Sequence, residues 1–355
     1  MSLRSENNAT PGVSYLMPVL SEATHIEAAL DSILAQDYTG SFDIIVVLGA
    51  SFDGTDEILE SRALRDSRIR VLDNPSGSIP DALNIGLAAS FYPIIVRVSA
   101  RSVLSPTYTR TAVEALLRTD AAEVGGVMRT VGTTDFENAV AIAYASPLGL
   151  IGEERHPENG EAQAETAYLG VFQRRWLTRI GPFDDDANRG QDWDLGQRLR
   201  DSGGVVWFTP SMTVTYRPQP RAEELARQFF VTGLWRGDHT RRHKPSNPAL
   251  FYARPIAVLA VLLGLPLGCV GYLGLFAGAQ DFGAVLSWIL FCGFLLPLGY
   301  FLTTVVLAIK WGIATNARTG AALMIVFPSI HFSWGLGFVL GFLRFANPIT
   351  ARLEA

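Results

Sequence analysis

The sequence has 355 residues, of which 48% are hydrophobic and 18% are charged, and its formal net charge is −5. Its two cysteines, Cys269 and Cys292, fall in long apolar stretches and offer neither a C-x-x-C zinc pattern nor a disulfide framework, which excludes both classes of site. The charge is uneven, since residues 1–216 sum to −12 whereas residues 217–254 sum to +5.

The N-terminal part of the chain has the pattern of an α/β domain. Residues 1–12 are polar and lack the apolar core of a secretory signal, so we predict a disordered tail there. Beyond them, short β-rich apolar runs alternate with helical stripes, which is typical of parallel strands joined by crossover helices. The predicted strands cover residues 13–19, 42–48, 69–72 and 93–98. We assign residues 13–216 to this domain, a mainly parallel sheet flanked by helices.

Three of these strands are followed by residues at the edge where ligands bind in open α/β sheets. The positions are Pro18 to Glu22, Leu48 to Asp53 and Ser99 to Arg101. Neither G-x-G-x-x-G nor G-x-x-x-x-G-K-[ST] follows a strand, which argues against a dinucleotide enzyme and a P-loop ATPase. The sequence therefore predicts one ligand crevice that has no glycine-rich phosphate loop.

Residues 217–254 form a basic stretch, and we predict an amphipathic interface segment there. Its apolar face holds Leu225, Phe229, Phe230 and Leu234, an arrangement that suits a helix on a bilayer surface. The cations of this segment have two possible binding roles, to anionic lipid headgroups or to the phosphate of a lipid-linked substrate. Alternatively, they serve only as a topology signal. The sequence leaves these alternatives open.

Apolar blocks dominate the rest of the chain. The only formally charged residues between positions 255 and 343 are Asp281, Lys310 and Arg318. The blocks that they separate cover residues 255–276, 283–309 and 321–343. Each block has near or above the ~20 residues that cross a hydrocarbon core of ~30 Å. We predict three transmembrane helices, followed by a short tail at 344–355.

The basic residues also predict an orientation. They are abundant before the first apolar block and absent from the loop at 277–282, which is the positive-inside pattern. We therefore expect a multi-pass protein of the cell (inner or plasma) membrane whose N-terminal head is cytoplasmic. His331, within the third block, either has a function or hydrogen-bonds a neighbouring helix.

Several motifs follow one another in the head: Met17-Pro-Val19 with Glu22, Asp53-Gly-Thr55, Ala82-Leu-Asn84 with Gly86, Gly170 with Phe172 and Arg174, and Gly181-Pro-Phe-Asp184. In their order and spacing they resemble the family 2 glycosyltransferases, inverting enzymes with a GT-A fold. Four further stretches are similar to the bacterial branch that extends exopolysaccharides of the succinoglycan type: Ser146-Pro-Leu-Gly149, Arg217-Pro218, Phe229 to Trp235, and Trp334-Gly-x-Gly-Phe338. The resemblance implies a nucleotide-sugar-binding GT-A head with C-terminal transmembrane helices.

The resemblance also implies three chemical groups. A carboxylate after the second strand binds the nucleotide base, a D-x-D pair after the fourth strand holds Mg²⁺ or Mn²⁺, and an Asp in an E-D motif is the general base. Here the first position is Leu48, the second reads Ser99-Ala-Arg101, and the third reads Gln191-Asp-Trp-Asp194, which keeps Asp192. Serine and arginine are poor Mg²⁺ ligands, so Mg²⁺ or Mn²⁺ could bind only without a D-x-D pair.

Site residues follow from the resemblance. Asp192 is the expected catalytic base. The expected donor-binding residues are Pro18, Glu22, Asp53, Asn84, Ser99 and Arg101. The expected acceptor-side residues are Gln191, Trp193, Gln228 and Trp235.

Two functions remain open at this stage. In the first, a membrane-bound inverting glycosyltransferase moves a sugar from a nucleotide sugar to a lipid-linked cell-envelope or exopolysaccharide acceptor, such as a polyprenyl-phosphate-linked glycan. Arg101 would then replace the metal through a bidentate contact with the diphosphate. In the second, the head is catalytically inactive and acts as a scaffold or regulator of envelope glycan assembly. The expected partners are the nucleotide sugar, the acceptor, membrane lipids and an envelope-assembly complex, with no nucleic acid.

Overall fold

The computed structural model describes residues 10–149, 160–184, 191–242, 248–278 and 280–343, with residues 248–254 described by their backbone alone. Two compact units make up the chain. The first lies within residues 1–131 and 153–218, and the second within residues 132–152 and 219–355. The predicted tails, at 1–12 as far as residue 9 and at 344–355, lie outside the described residues.

A mixed β-sheet forms the centre of the first unit. Its strands in the described residues are β1 (Val13–Val19), β2 (Phe42–Gly49), β3 (Ile69–Asn74), β4 (Ile94–Arg97), β5 (Ser102–Leu104), β6 (Glu123–Thr130), β7 (Ala162–Gln163), β8 (Val171–Gln173) and β9 (Val206–Tyr216). The order across the sheet is β3-β2-β1-β4-β8-β6-β9-β5, with β7 paired to β9. The first four strands are parallel, and β4 then pairs antiparallel with β8.

Helices connect the strands and continue beyond the sheet. The α-helices in the described residues are α1 (Ile26–Leu34), α2 (Thr55–Arg65), α3 (Ile79–Ala89), α4 (Tyr108–Thr119), α5 (Asp135–Ala145), α6 (Arg174–Ile180), α7 (Gln191–Asp201), α8 (Ala222–Arg242), α9 (Pro248–Phe276), α10 (Asp281–Phe291), α11 (Leu295–Ala314) and α12 (Ala317–Phe342). Helices α5 and α8 to α12 lie in the second unit, and the others lie in the first.

Alternation along the central strands builds two apolar layers, one on each face of the sheet. In β2, Ile44 and Val46 belong to the cluster that contains Leu30 of α1, whereas Ile45 and Val47 belong to the cluster that contains Leu83 of α3. Successive strand residues point to opposite faces, so a continuous apolar run is what a sheet covered on both sides requires. The α/β prediction is confirmed, and the carboxyl ends of β1, β2 and β4 lie at one edge.

In the second unit, helix α5 is tied to α8 and α12. The Asp135 carboxylate at its first turn accepts hydrogen bonds from Asn316 Nδ2 at 3.0 Å and from Thr319 Oγ1 at 3.2 Å. Near its end, Tyr144 packs edge to face on Phe229, with ring centroids 5.9 Å apart. The predicted head, residues 13–216, includes this helix, so the structure differs from that prediction at residues 132–152.

Glycines bring helices α8 and α12 into direct backbone contact. A Cβ atom at Gly237 would lie 2.1 Å from the backbone oxygen of Phe338, and one at Gly341 would lie 2.0 Å from that of Leu234. Gly233 and Gly337 face the same interface. This is the small-x-x-x-small packing by which membrane helices approach closely.

The apolar face predicted for the basic segment is covered by protein. Leu225, Phe229 and Leu234 are 0%, 3% and 0% exposed, and Phe230 is half-buried. These side chains lie on the helix that packs against α12 and α5. The stripe is therefore not available to a bilayer surface, because neighbouring helices already occupy it.

Among the described residues of the second unit, three helical segments are long and apolar enough to cross a membrane. They are Pro255–Phe276, Asp281–Ala314 and Ala317–Phe342, with mean hydropathies of 2.3, 2.1 and 1.7. The middle segment consists of α10 and α11 joined by a single 3₁₀ turn at Cys292–Phe294. These bounds agree with the three apolar blocks of the sequence to within a few residues.

His331 of α12 has hydrogen-bond partners on both ring nitrogens. Its Nδ1 lies 2.9 Å from the Tyr300 hydroxyl, and its Nε2 lies 2.8 Å from the Leu148 carbonyl oxygen. Since a carbonyl only accepts, Nε2 carries the proton and Nδ1 accepts from Tyr300 in the neutral ring. Of the two roles left open by the sequence, the structure supports the hydrogen-bonding one.

Candidate active site

At the edge formed by β1 and β2, the two loops that follow the strands are joined by hydrogen bonds. The backbone nitrogen of Glu22 donates to Thr55 Oγ1 at 2.9 Å, and that of Ala23 donates to Asp53 Oδ2 at 3.0 Å. Ser21 adopts a positive φ of 51° at this point and donates its backbone N–H to Ser51 Oγ at 2.9 Å. The loops therefore present Glu22 from a fixed backbone.

Asp53 is a structural residue of this edge. Its Oδ1 accepts hydrogen bonds from the Thr55 hydroxyl at 2.6 Å and from the Thr55 backbone nitrogen at 3.2 Å, at the N-terminus of α2. Burial opposes ionisation of Asp53, but the bonds from Thr55 and Ala23 outweigh it and hold its pKa below the usual value. The carboxylate is thus engaged by the protein backbone, although the residue remains exposed.

Asn84 also has structural partners. Its Nδ2 donates to the Phe183 carbonyl oxygen at 3.0 Å, and its Oδ1 accepts from the Phe183 backbone nitrogen at 2.8 Å. This pair of bonds satisfies both ends of the amide and joins α3 to the loop at Gly181–Asp184. The position predicted as donor-binding thus fixes the wall of the crevice.

Arg101 forms an ion pair with Glu22. Arg101 Nε donates to Glu22 Oε1 at 2.7 Å, and Nη1 donates to the Pro218 carbonyl oxygen at 3.3 Å. The side chains of Arg101 and Glu22 are only 15% and 17% exposed. Ser99 Oγ accepts the Arg101 backbone N–H at 3.3 Å and so shapes the turn after β4. The structure therefore brings three predicted donor residues together, with the guanidinium already bound to a carboxylate.

A second guanidinium, which the sequence reasoning missed, lies beside the predicted base. Arg97 ends β4 and is 8% exposed. Its Nη1 forms an ion pair with Asp192 Oδ1, and its Nη2 lies 3.4 Å from Gln191 Oε1. The signal was present in the sequence, because a charged residue interrupts the buried run Ile94–Val98.

Glu123 supplies the opposite charge below Arg97. This carboxylate of β6 is fully buried, and the Glu123 Oε1 atom occupies the space in which a Cβ at Gly170 would lie, 2.2 Å away. Burial lowers the pKa of Arg97 to about 10, while the nearby Tyr168 and Glu123 oppose that shift. The cation persists in the sheet because Asp192 and Gln191 bind it and the buried Glu123 acts on it electrostatically.

The two carboxylates of the Gln191-Asp-Trp-Asp194 motif have different partners. Asp194 Oδ2 accepts from Arg198 Nε at 2.8 Å, and Arg198 also donates to the Pro182 carbonyl oxygen at 2.9 Å. Asp192 instead pairs with Arg97 at the carboxyl end of the sheet. Both carboxylates lie in the first turn of α7, where the helix N-terminus favours negative charge.

The remaining predicted residues are placed as follows. Pro18 lies in β1, half-buried, and Trp193 lies half-buried on α7. Gln228 and Trp235 lie on α8 in the second unit, where Trp235 stacks on His239 with ring centroids 5.1 Å apart.

The position that lacks the base-binding carboxylate has an acidic neighbour in the sheet. Leu48 of β2 is the register partner of Asp73 on β3, which is exposed. Phe52, in the turn that follows β2, is 96% exposed.

The residues after β4 do not fit a divalent metal. Magnesium and manganese prefer carboxylate and carbonyl oxygens, whereas this turn presents a serine hydroxyl and a guanidinium. Among the described residues, no group of three or more His, Cys, Asp or Glu side chains is placed to hold a metal ion. We therefore derive no chemical step through a metal.

Comparison with known proteins shows which family and which relatives this chain is similar to. A model of the family described as Glycosyl transferase family 2 matches residues 14–181. The succinoglycan biosynthesis protein ExoA of Rhizobium meliloti (strain 1021) is 28% identical over 260 residues, which cover 73% of this chain and 78% of the relative. The glycosyltransferase AglE of Haloferax volcanii is 26% identical over 225 residues, which cover 62% of this chain and 72% of the relative.

A solved structure extends the comparison to the fold. The mannosyltransferase PcManGT from Pyrobaculum calidifontis, in complex with GDP-Man and Mn²⁺, matches with a TM-score of 0.54 at 19% identity and covers 92% of this chain and 91% of its own. At this level of identity the likeness supports the fold, and the predicted GT-A architecture is confirmed.

Proposed function

Because a model of glycosyl transferase family 2 matches residues 14–181 of this chain, we propose that the protein is a membrane-bound inverting glycosyltransferase that uses a nucleotide sugar. Its acceptor is a lipid-linked cell-envelope or exopolysaccharide glycan, such as one carried on polyprenyl phosphate. The similarity to a succinoglycan biosynthesis protein supports the acceptor class. Three helices long and apolar enough to cross a membrane support a multi-pass protein with its head on the cytoplasmic side.

The observation that carries the proposal is the placement of Asp192 beside a guanidinium at the carboxyl end of the sheet. In the proposed reaction, Asp192 takes the proton of the acceptor hydroxyl, and the hydroxyl oxygen attacks the anomeric carbon of the donor. The bond from that carbon to the diphosphate breaks, and its electron pair leaves with the nucleoside diphosphate. Arg101 balances the charge that develops on the leaving group.

A binding titration tests the donor half of the proposal. The detergent-purified protein is titrated with UDP-, GDP- and dTDP-sugars by calorimetry, with and without Mn²⁺. We expect binding of at least one donor without metal, and a loss on the order of tenfold or more in Arg101→Ala, which removes a charge-assisted contact. Binding that is unaffected by Arg101→Ala would remove Arg101 from the diphosphate site.

Asp192→Asn tests the catalytic half. We expect transfer to fall by about 10²–10⁴-fold, with donor affinity retained, because the variant keeps the size of the side chain but cannot accept the proton. Transfer at the wild-type rate in Asp192→Asn would show that another group is the base.

One observation favours the second function, a catalytically silent homologue that organises envelope glycan assembly. Both guanidinium groups of the crevice are already bound by protein carboxylates, Arg101 by Glu22 and Arg97 by Asp192. If this function holds, Asp192→Asn complements a deletion strain as well as the wild-type protein does. The transferase function requires that it does not.

A further inference from the structure

Arg97 is a charged residue in a strand that is otherwise apolar and buried. It lies in a strand whose other residues, Ile94 to Val96, are at most 1% exposed. A guanidinium is retained in such a place only when partners with good geometry offset its lost hydration. Its partners therefore indicate what the charge does.

Those partners lie on both sides of the guanidinium. On the buried side are Glu123 of β6 and Tyr168, which act electrostatically on Arg97, with Tyr108 of α4 next to Glu123. On the crevice side, Arg97 contacts Asp192 and Gln191 of α7. Arg97 thus lies in the field of a fully buried carboxylate and pairs directly with a carboxylate whose side chain is 23% exposed.

The two carboxylates near Arg97 are held in different ways. The Glu123 carboxylate lies against the backbone of Gly170, since its Oε1 takes up the space that a Cβ at Gly170 would fill. Asp192 lies at the start of α7 and has its Oδ1 occupied by Arg97. A carboxylate held by one oxygen presents the other in a defined direction.

From this geometry we propose that Arg97 is a positioning residue for Asp192. Held by the strand and by the field of Glu123, its guanidinium keeps the Asp192 carboxylate ionised and aims Oδ2 at the place of the acceptor hydroxyl. The inference rests on the proposed function in that Asp192 is the base. Arg97 itself contacts neither donor nor acceptor in this role.

Arg198 provides a matched control. It also pairs with a first-turn carboxylate of α7, Asp194, but it donates in addition to carbonyl oxygens of the neighbouring loop. Arg198→Met therefore removes an ion pair of the same helix and chemistry without touching Asp192. Any effect common to Arg97→Met and Arg198→Met reports on the folding of α7 alone.

The first test measures the pH dependence of kcat/KM for Arg97→Met, Arg97→Lys and Arg198→Met. We expect Arg97→Met to lower kcat on the order of 10²-fold, with the donor KM within about twofold of wild type, because the base loses its orientation. Loss of the neighbouring cation moves the acid limb of the profile to higher pH by about one unit or more. Arg97→Lys retains most of the wild-type kcat and keeps the acid limb close to its wild-type pH. Arg198→Met leaves the pH profile unchanged. A wild-type kcat and acid limb in Arg97→Met overturn the proposal.

A second test needs no transferase activity. The carboxyl carbon of Asp192 is followed by ¹³C NMR in protein labelled at aspartate, with Asp192→Asn identifying the resonance. We expect its titration midpoint to rise in Arg97→Met, and a midpoint that does not move overturns the proposal. A protein that turns over no donor but has the shifted midpoint loses the proposed function and retains the Arg97–Asp192 coupling. If Arg97→Met lacks a cooperative thermal transition, the double variant Arg97→Met/Glu123→Gln, which removes both buried charges, takes its place. Its Asp192 titration midpoint is then compared with that of the wild type.

Discussion

At the scale of single residues, the crevice is governed by arginine–carboxylate pairs. Arg101 lies 2.7 Å from Glu22, in a site where both side chains are mostly buried. A diphosphate that binds Arg101 must therefore compete with Glu22 for the same guanidinium. Its affinity depends on how readily that carboxylate is displaced.

The first prediction concerns this competition. Glu22→Gln keeps the shape of the side chain but removes its charge, so the guanidinium of Arg101 is released to the ligand. We expect the Kd of the preferred nucleoside diphosphate to fall on the order of fivefold, which corresponds to about 1 kcal/mol. Calorimetry without metal measures it, and Glu27→Gln, an exposed carboxylate of α1, is the control. Weaker binding in Glu22→Gln would mean that Glu22 contacts the donor itself.

A second prediction concerns Phe52, a large aromatic ring that is 96% exposed in the turn after β2. We expect it to stack on the nucleobase, because Leu48 offers no carboxylate there and every base has a π-face. Phe52→Ala should weaken donor binding by about 1 kcal/mol, roughly fivefold, without changing the thermal midpoint. Phe91→Ala is the matched control, since that ring is 75% exposed just before β4, at the opposite edge of the sheet. Equal affinities for wild type and Phe52→Ala would exclude the stacking.

At the scale of elements, helices α5, α8 and α12 pack as one group. Their contacts combine polar bonds at the helix starts, as at Asp135 and Asn316, with close contact between glycines and the backbone of the facing helix. The start of α5 is further secured by a capping box, in which Thr134 Oγ1 accepts from the Glu137 backbone N–H and the Glu137 carboxylate accepts from the Thr134 backbone N–H. The apolar face of α8 is thereby used for packing within the protein.

The third prediction tests the glycine contact. Gly237→Ala places a methyl group 2.1 Å from a backbone oxygen of α12, so the helices must separate, at a cost of about 1–3 kcal/mol. Gly299→Ala in α11 meets nothing within 4 Å and is the control. We expect a lower thermal midpoint in detergent for Gly237→Ala, and a midpoint equal to or above wild type for Gly299→Ala. A similar midpoint for both variants would mean that the two backbones are not in contact.

The sequence predicted those elements whose signal is local. The predicted strand at residues 13–19 has the bounds of β1, and the predicted apolar block at 255–276 has those of the candidate span within the longer helix α9, because a buried strand and an apolar helix each have a continuous apolar pattern. The placement of α5 was not predicted, since its partner residues on α12 are 181 and 184 positions away and its own composition is compatible with either unit. The glycines of α8 and α12 did carry a readable spacing, but the charged Arg236 between Gly233 and Gly237 obscured it.

In the candidate site, too, local sequence signals were predictive and long-range pairings were not. Motif spacing placed Glu22, Ser99 and Arg101 in one crevice, and the structure brings them together. Which oxygen or nitrogen each group contacts depends on pairing across the sheet, and this was not readable from spacing. Arg97 is the clearest example, because its partners Glu123 and Asp192 come from separate elements later in the chain.

At the scale of the whole molecule, carboxylates with lowered pKa make stability depend on pH. Arg68 holds the pKa of Asp66 below its usual value, and Arg118 does the same for Glu161. Asp53 is a third such group, through its bonds from Thr55 and Ala23. A lowered folded-state pKa contributes stability that is complete above the unfolded value and is lost as the pH falls through the folded value.

The fourth prediction follows from that sign. We expect the thermal midpoint to be flat above pH 5 and to fall as the pH is lowered through the region of about 4 and below, where unfolded carboxylates take up protons first. Asp53→Asn combined with Glu161→Gln should flatten the fall, because neither side chain can then be protonated. Glu27→Gln is again the control. An acid slope that is as steep in the double variant as in the wild type would assign the effect to other groups.

The placement of α5 has a consequence for the order in which the protein is made. Residues 132–152 are synthesised in the middle of the head, yet their packing partner α12 ends at Phe342, almost 200 residues later. At a synthesis rate of about 5–20 residues per second, that interval lasts roughly 10–40 s. During this time the apolar side of α5, with Val140 and Tyr144, has no partner from α12 and is a target for chaperones. Helix α5 can therefore reach its native packing only once α12 has left the ribosome, which couples the folding of a segment from the middle of the chain to the synthesis of the last apolar helix.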